Sequence, residues 1–147
     1  MSDTSADHLA IRELVGRQFS SMTWDESGSG PDLAAFRRDF LPSAVLYPSA
    51  RPLAEQSVDR FCARMNALSR STLRSFHERV IGTTIHVFGN VAVAAVGCEN
   101  TENGAEVNRN VEMMLLVKDE GRWRIAAQAW DREAEDNPIP GRLLTSG

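Results

Sequence analysis

The chain has 147 residues, 20 acidic against 16 basic side chains, a formal net charge of -4 and 42% hydrophobic residues. That length suits one domain spanning residues 1–147, large enough to bury a core without a disulfide or metal staple. Mild acidity without any Lys/Arg cluster argues against a nucleic-acid or anionic-membrane partner, and no stretch approaches the ~18 apolar residues of a spanning helix.

Cys62 and Cys98 are too few for a disulfide scaffold and too far apart in sequence for a metal or redox pair, so both are expected reduced and buried. Met1 to His8 is polar and acidic and lacks the cationic and apolar regions of a secretory signal, so a cytoplasmic location is expected.

In chain order, Ile11, Leu14, Val15, Phe19 and Met22 recur at three- and four-residue steps, which predicts an amphipathic helix over about Ala6 to Met22. Ser5 is its expected N-cap, with Asp7 facing the positive end of the helix dipole. Asp25 to Pro31, with two glycines and a proline, reads as a loop. A short helix from about Asp32 to Asp39 turns Leu33 and Phe36 inward. Ala44 to Tyr47 can form a short strand stopped by Pro48. Ser57 can cap a helix to about Ser69 whose buried stripe is Val58, Phe61, Cys62, Met65 and Leu68.

From Phe76 the period changes. Phe76 to Phe88, Val91 to Glu102, Glu106 to Lys118 and Trp123 to about Glu133 are rich in β-branched and aromatic residues. The breaks at Gly89-Asn90, Asn103-Gly104 and Asp119-Glu120-Gly121 suit hairpin turns, because Gly and Asn tolerate positive φ. The expected product is a four-stranded antiparallel meander with the helices packed on one face, an α+β arrangement.

Two-residue turns at the first two breaks place Glu78, Thr84, His86, Val93, Ala95, Glu99, Asn108, Glu112 and Met114 on one, mixed face, and Ile81, Ile85, Val87, Ala94, Val96, Val111, Met113 and Leu115 on the other. Glu112 then lies opposite Ala95. The last hairpin admits two registers, one adding Gln128 and Trp130 to the mixed face and the other Ala127 and Ala129. The first is preferred because it groups Trp123 and Ile125 with the apolar set. Pro138, Pro140 and Gly141 take residues 137–147 out of the sheet as a tail that frays, or that docks Ile139, Leu143 and Leu144 on a partner or the pocket mouth.

The order of these elements carries several local matches: Phe40-Leu41-Pro42-Ser43-Ala44-Val45, the helix opened by Ser57-Val58 with Phe61, the turn Phe88-Gly89-Asn90-Val91-Ala92, and Gly121-Arg122-Trp123-Arg124-Ile125 followed by Trp130. Together they resemble the nuclear transport factor 2-like superfamily, in its SnoaL-like and ketosteroid isomerase-like branch, over about Ala6 to Glu133. The resemblance implies a cone whose helices close on the concave side of a curved sheet around a pocket for a small, largely apolar molecule. It also implies a homodimer formed through the convex side. The fold hosts enzymes and non-catalytic proteins alike, so the residues must decide.

The isomerase branch has its proton-transfer base, an Asp, immediately before a Pro. Tyr47-Pro48 stands there in this chain, and a phenol with an unperturbed pKa of ~10 is a poor base at neutral pH. The oxyanion donors are also missing, with Gln18 and Phe19 at the helix position and Met113 and Leu115 at the strand position. Steroid-type isomerisation is therefore rejected.

The remaining candidates are Glu112 and Glu99, as acid or base on a shared face, and a pocket wall of Trp24, Tyr47, Met114, Gln128 and Trp130. His77 and His86 face opposite ways on one strand, so no metal site and no cofactor are expected. The two functional readings are cofactor-free lyase, isomerase or hydrolase chemistry on a small apolar or amphipathic compound, and a non-catalytic binding or dimeric assembly module.

Overall fold

A computed structural model describes residues 4–145. Helix α1 (Thr4–Ser21) buries the expected stripe Ile11, Leu14, Val15 and Phe19. Ser5 lies inside it and not at its cap. Asp7 does more than face the helix dipole: its carboxylate accepts hydrogen bonds from Trp123 Nε1 at 2.9 Å and Lys118 Nζ at 3.0 Å, which fastens the start of α1 to the sheet. Helix α2 (Leu33–Arg38) begins where Asp32 accepts from the Ala35 amide, and α3 (Val58–Ser69) where Ser57 accepts from the Arg60 amide. Each cap supplies a backbone donor with the partner that a first helical turn lacks.

The sheet has six strands: β1 (Phe40–Tyr47), β2 (Gln56–Ser57), β3 (Phe76–Phe88), β4 (Val91–Glu102), β5 (Glu106–Asp119) and β6 (Arg122–Arg132), in the order β2-β1-β6-β5-β4-β3. The four long strands form the expected meander. The expectation of a wholly antiparallel four-stranded sheet is corrected at its edge, because β1 starts at Phe40 and pairs parallel to β6 while β2 pairs antiparallel to β1.

The expected face assignment fails at two places. Glu102 pairs with Glu106, so the β4–β5 loop holds three residues, Asn103, Gly104 and Ala105, with Asn103 and Gly104 at φ of 53° and 70°. One extra loop residue shifts the register by one and turns every β5 side chain over relative to β4. Glu112 consequently lies opposite Val96, and Ala95 opposite Met113. The second departure is a bulge in β3 between Val80 and Gly82, which reverses the parity along that strand.

The concave face therefore carries Glu78 and Ile85 from β3, Ala94, Val96, Cys98 and Asn100 from β4, and Asn110, Glu112 and Met114 from β5. Thr84, His86, Val93, Ala95 and Glu99 lie on the outer face instead of beside Glu112, with Met113 and Leu115. At the last hairpin Asp119 pairs with Arg122 around Glu120-Gly121, and Trp130 faces Glu112 and Gln128 faces Met114. Gln128 and Trp130 thus join Glu112 as preferred, but a two-residue loop and a bulge between Leu115 and Leu116 bring Trp123 and Ile125 to the same concave face and not to the opposite one.

The helices cover the concave face and enclose the core there. Residues 137–145 cross the outer face in place of fraying or covering the pocket mouth, and the last two residues of the expected tail lie outside the described residues. Ile139 and Leu143 are buried, and a 3-10 turn (Gly141–Leu143) packs on β3 and β4. It can do so because Gly82 and Gly97 have no side chain: a Cβ on Gly97 would lie 2.3 Å from the Leu143 carbonyl oxygen. Gly97→Ala is expected to expel this turn and cost about 1–3 kcal/mol, the range for forced overpacking, read by urea unfolding.

Candidate functional site

The cone encloses a cavity of about 230 Å³. Its apolar wall comes from elements already fixed by the core: Phe36 on α2 stacks on Phe61 of α3 at 5.4 Å between ring centroids, and Phe61 meets Trp130 of β6 edge-on at 5.8 Å. Phe19, Met22, Leu46, Met65, Leu68 and Phe76 continue it. The polar lining is concentrated on the sheet, where Glu78, Asn100, Asn110, Glu112 and Gln128 point to the concave side, with Gln18 approaching from the last turns of α1. Exposed Arg64 and Arg132 also border the cavity.

A hydrogen-bond chain crosses it. Gln18 Nε2 donates to Gln128 Oε1 at 2.7 Å, and Gln128 Nε2 donates in turn to Glu112 Oε1. The other Glu112 oxygen, Oε2, accepts from the Cys98 thiol at 3.7 Å. The carbonyl oxygens of the Gln18, Asn100 and Asn110 side chains are buried without a partner among the described residues. An unpaired buried acceptor costs about 1–3 kcal/mol, so these three need a donor from the cavity they line, water or ligand.

Glu78, Cys98 and Glu112 bring their donor atoms within 4.8 Å of one another, a cluster able to hold a cation. No ion pair reaches either glutamate among the described residues. Burial pushes the Glu112 carboxyl up to about 7 against the hydrogen bonds from Gln128 and Cys98, which favour its charged form. Glu78 is pushed well above the usual carboxylate range, first by burial and then by the neighbouring Glu112 charge. Two like charges this close in a desolvated site cannot both form readily at neutral pH, so the pair retains a proton. The same burial raises the Cys98 thiol, which stays protonated and is no nucleophile.

Of the sequence candidates, Glu112, Gln128 and Trp130 meet in the cavity. Glu99 does not join them. It lies on the outer face between Arg79 at 3.1 Å and Arg109 at 3.2 Å, whose hydrogen bonds hold its carboxyl below the usual range. Trp24 is buried, donates from Nε1 to the Leu73 carbonyl at 3.0 Å and exchanges backbone hydrogen bonds with Phe76, so it closes the core behind the wall. Tyr47 points to Glu55, 3.4 Å from its hydroxyl, and borders an outer groove. Met114 is buried on the concave face without lining the cavity. His77 pairs with Asp25 at the surface at 2.9 Å.

Sequence reasoning missed Glu78, Asn100, Asn110 and Gln18 as members of this site. A readable signal existed in β5, where Asn110, Glu112, Met114 and Leu116 alternate as one strand face whose polar half needs a reason to be buried.

Compared with known proteins, the chain matches the family described as "Putative lumazine-binding" over residues 7–131. The chain belongs to that family, and so to the nuclear transport factor 2-like superfamily. Among solved structures it is similar to an NTF2-like protein of unknown function from Silicibacter pomeroyi, with 22% identity, 90% of this chain and 100% of that chain covered, and a TM-score of 0.66. An NTF2-like protein of unknown function from Pseudomonas putida gives 14% identity, coverages of 95% and 96%, and a TM-score of 0.71. An NTF2-like protein with a cystatin-like fold from Novosphingobium aromaticivorans gives 15%, 91%, 88% and 0.72 in the same order. These likenesses support the fold alone. The comparison with curated proteins finds no match. No helix among the described residues is long and apolar enough to cross a membrane.

Proposed function

We propose that the cone is the binding site of a small organic molecule and that Glu112 exchanges a proton with it. The reaction would be a cofactor-free lyase, isomerase or hydrolase step of the kind the SnoaL-like branch of the superfamily hosts. The observation that carries this reading is the pair Glu78 and Glu112 at the wall of a cavity whose amide acceptors Gln18, Asn100 and Asn110 are left open. A carboxyl held near neutrality can give and take a proton at physiological pH, which an ordinary glutamate does poorly. The family description adds lumazine, a flat heterocycle with N–H and C=O edges, as a ligand type that aromatic walls and amides suit.

Ala50 is exposed on the cavity rim, so Ala50→Trp is expected to block entry without disturbing the core. A thermal-shift screen of small compounds should find ligands that stabilise the wild type and not this variant. If every hit stabilises both equally, the cavity is not the site. For a compound that is turned over, Glu112→Gln is expected to lower kcat by ~100-fold or more, and an unchanged kcat removes Glu112 from the chemistry.

A second reading, binding without turnover, is favoured by one feature: both Glu112 carboxylate oxygens already accept protein hydrogen bonds. In either reading we place the protein in the cytoplasm, with the buried free thiols Cys62 and Cys98 reduced, and as a homodimer through the outer sheet face. There Val93, Met113 and Leu115 are 48%, 59% and 46% exposed and adjacent across β4 and β5. Sedimentation equilibrium at micromolar concentration should give a dimer, and Met113→Glu a monomer. A wild-type monomer contradicts the assembly.

A further inference from the structure

We infer that the ligand of this cavity enters with a protonated amine innermost: the site takes a small primary or secondary amine whose other end is aromatic or aliphatic. The inference rests on the binding role proposed above and narrows it to a chemical class.

Three observations converge on it. First, the acidic groups of the cavity wall are not neutralised from within. Among the described residues the Glu78 side chain has no hydrogen-bond or ion-pair partner, Glu112 is met by neutral Gln128 and Cys98, and the cations of the cavity lining, Arg64 and Arg132, are exposed at its edge. Second, the open buried groups nearby are the carbonyl oxygens of Gln18, Asn100 and Asn110, which are acceptors. An ammonium has three donors and no acceptor, so it can satisfy carboxylate and amide oxygens together, whereas an alcohol supplies one donor and a carboxylate none. Third, the cavity has an aromatic wall in which Phe61 of α3 meets both Phe36 of α2 and Trp130 of β6. Ring faces attract a desolvated cation and accept the hydrocarbon portion of the same molecule.

Strand pairing explains why these groups converge. Glu78 faces Asn100 across β3 and β4, and Cys98 faces Asn110 across β4 and β5, with Glu112 two residues farther along β5. The donor-seeking atoms of the sheet thus form one patch on the concave face, which Gln18 of α1 approaches from the helix side. An amine that docks there also supplies the positive charge that lets both glutamates ionise, so its binding and the proton held by the pair are linked.

The test uses three probes of nearly equal shape, 2-phenylethylamine, 2-phenylethanol and 3-phenylpropanoate, titrated calorimetrically into the full-length protein at pH 7. The amine is expected to bind at least ~10-fold more tightly than the alcohol, the worth of a charged hydrogen bond over a neutral one, with the carboxylate weakest. Glu78→Gln should lower the amine-to-alcohol ratio, Glu112 leaving one carboxylate at the site, while the alcohol still binds, which shows the variant is folded. An alcohol or carboxylate that binds as tightly as the amine overturns the amine class and leaves the cavity a binding site. So does a ratio unmoved by Glu78→Gln. Zinc chloride is the fourth probe: Zn²⁺ that binds and excludes the amine makes the cluster a metal site and also overturns it. If none of the organic probes binds, the amine class fails, and the Ala50→Trp screen decides separately whether the cavity binds anything.

Discussion

Between pH 5 and pH 8 the folded protein is expected to lose about 3 kcal/mol of stability, the equivalent of moving one glutamate from its ordinary value to about 7. The sign follows from the direction of the shift. A carboxyl whose folded value is raised keeps its proton in the native state at pH values where the unfolded chain has released it. It costs nothing below about 4.5, costs progressively more as the pH rises toward about 7, and its penalty is constant above that. Glu78, raised by burial and by Glu112, acts in the same direction. Glu99 and Asp7 act in the opposite one: both are held below the usual range by hydrogen bonds, Glu99 from Arg79 and Arg109, Asp7 from Trp123 and Lys118. Their contribution is present above the unfolded carboxylate range and is lost as the pH falls through their lowered values. The stability maximum should therefore lie near pH 5.

Urea unfolding across this range checks it, with Glu112→Gln as the decisive comparison. Glutamine can still accept from Gln128 and carries no charge to desolvate, so the variant should exceed the wild type in stability at pH 8 and lose less between pH 5 and pH 8, the remaining loss coming from buried Glu78. A wild-type profile that is flat or rises over this interval would mean that Glu112 and Glu78 ionise freely. The sign matters for function. A carboxyl pair that destabilises the fold at neutral pH, where apolar residues of similar size would not, is the kind of local cost found at working sites.

How much of this was legible in the sequence depends on which physical signal each residue carried. The helices and long strands were, because Ile11 to Met22 and Val58 to Leu68 repeat at the helical period and the β-branched segments from Phe76 are bounded by turn residues. Glu112 is legible as an acid on the mixed sheet face, and Gln128 and Trp130 reach that face as preferred, although the ground for it, Trp123 and Ile125 on the opposite face, fails at the bulge in the last hairpin. The shared face of Glu99 and Glu112 was not. It depended on whether Asn103-Gly104 or Asn103-Gly104-Ala105 formed the turn, two loops that the local composition permits equally and that place opposite side chains inward. Glu78 was assigned to the face of Glu112 by simple alternation, but so were Thr84 and His86. The β3 bulge, beside Gly82 and opposite Gly97, separates them, and nothing local shows that Gly82 and Gly97 also leave room for the returning chain at Leu143. Gln18 could be placed on α1, yet its contact with Gln128 spans 110 residues and depends on how the helix sits over the sheet.

That seating predicts the second large effect. Replacing Arg17 by Met is expected to cost about 3 kcal/mol. Arg17 holds Asp39 with two hydrogen bonds, Nε to Oδ2 and Nη2 to Oδ1, both 3.1 Å, and the carboxylate it holds is almost wholly buried. Methionine keeps the stem and its packing but leaves a buried charge that, among the described residues, only Arg122, 3.8 Å away, pairs with. The value is set at the low end for a broken buried pair because the guanidinium itself is half exposed and Arg122 compensates in part. The double variant Arg17→Met, Asp39→Asn removes the charge together with its partner and should recover most of the loss, which a simple packing defect at Arg17 would not allow. Since Asp39 immediately precedes β1 and its carbonyl accepts from the Ile125 amide of β6, this pair ties α1 to the two strands at its end of the sheet. Gln18 is the next residue, so loosening the tie should also weaken ligand binding in the cavity through Gln18 and Gln128. A single variant that loses less than 1 kcal/mol and binds normally would show that the apolar face of α1 alone positions Gln18.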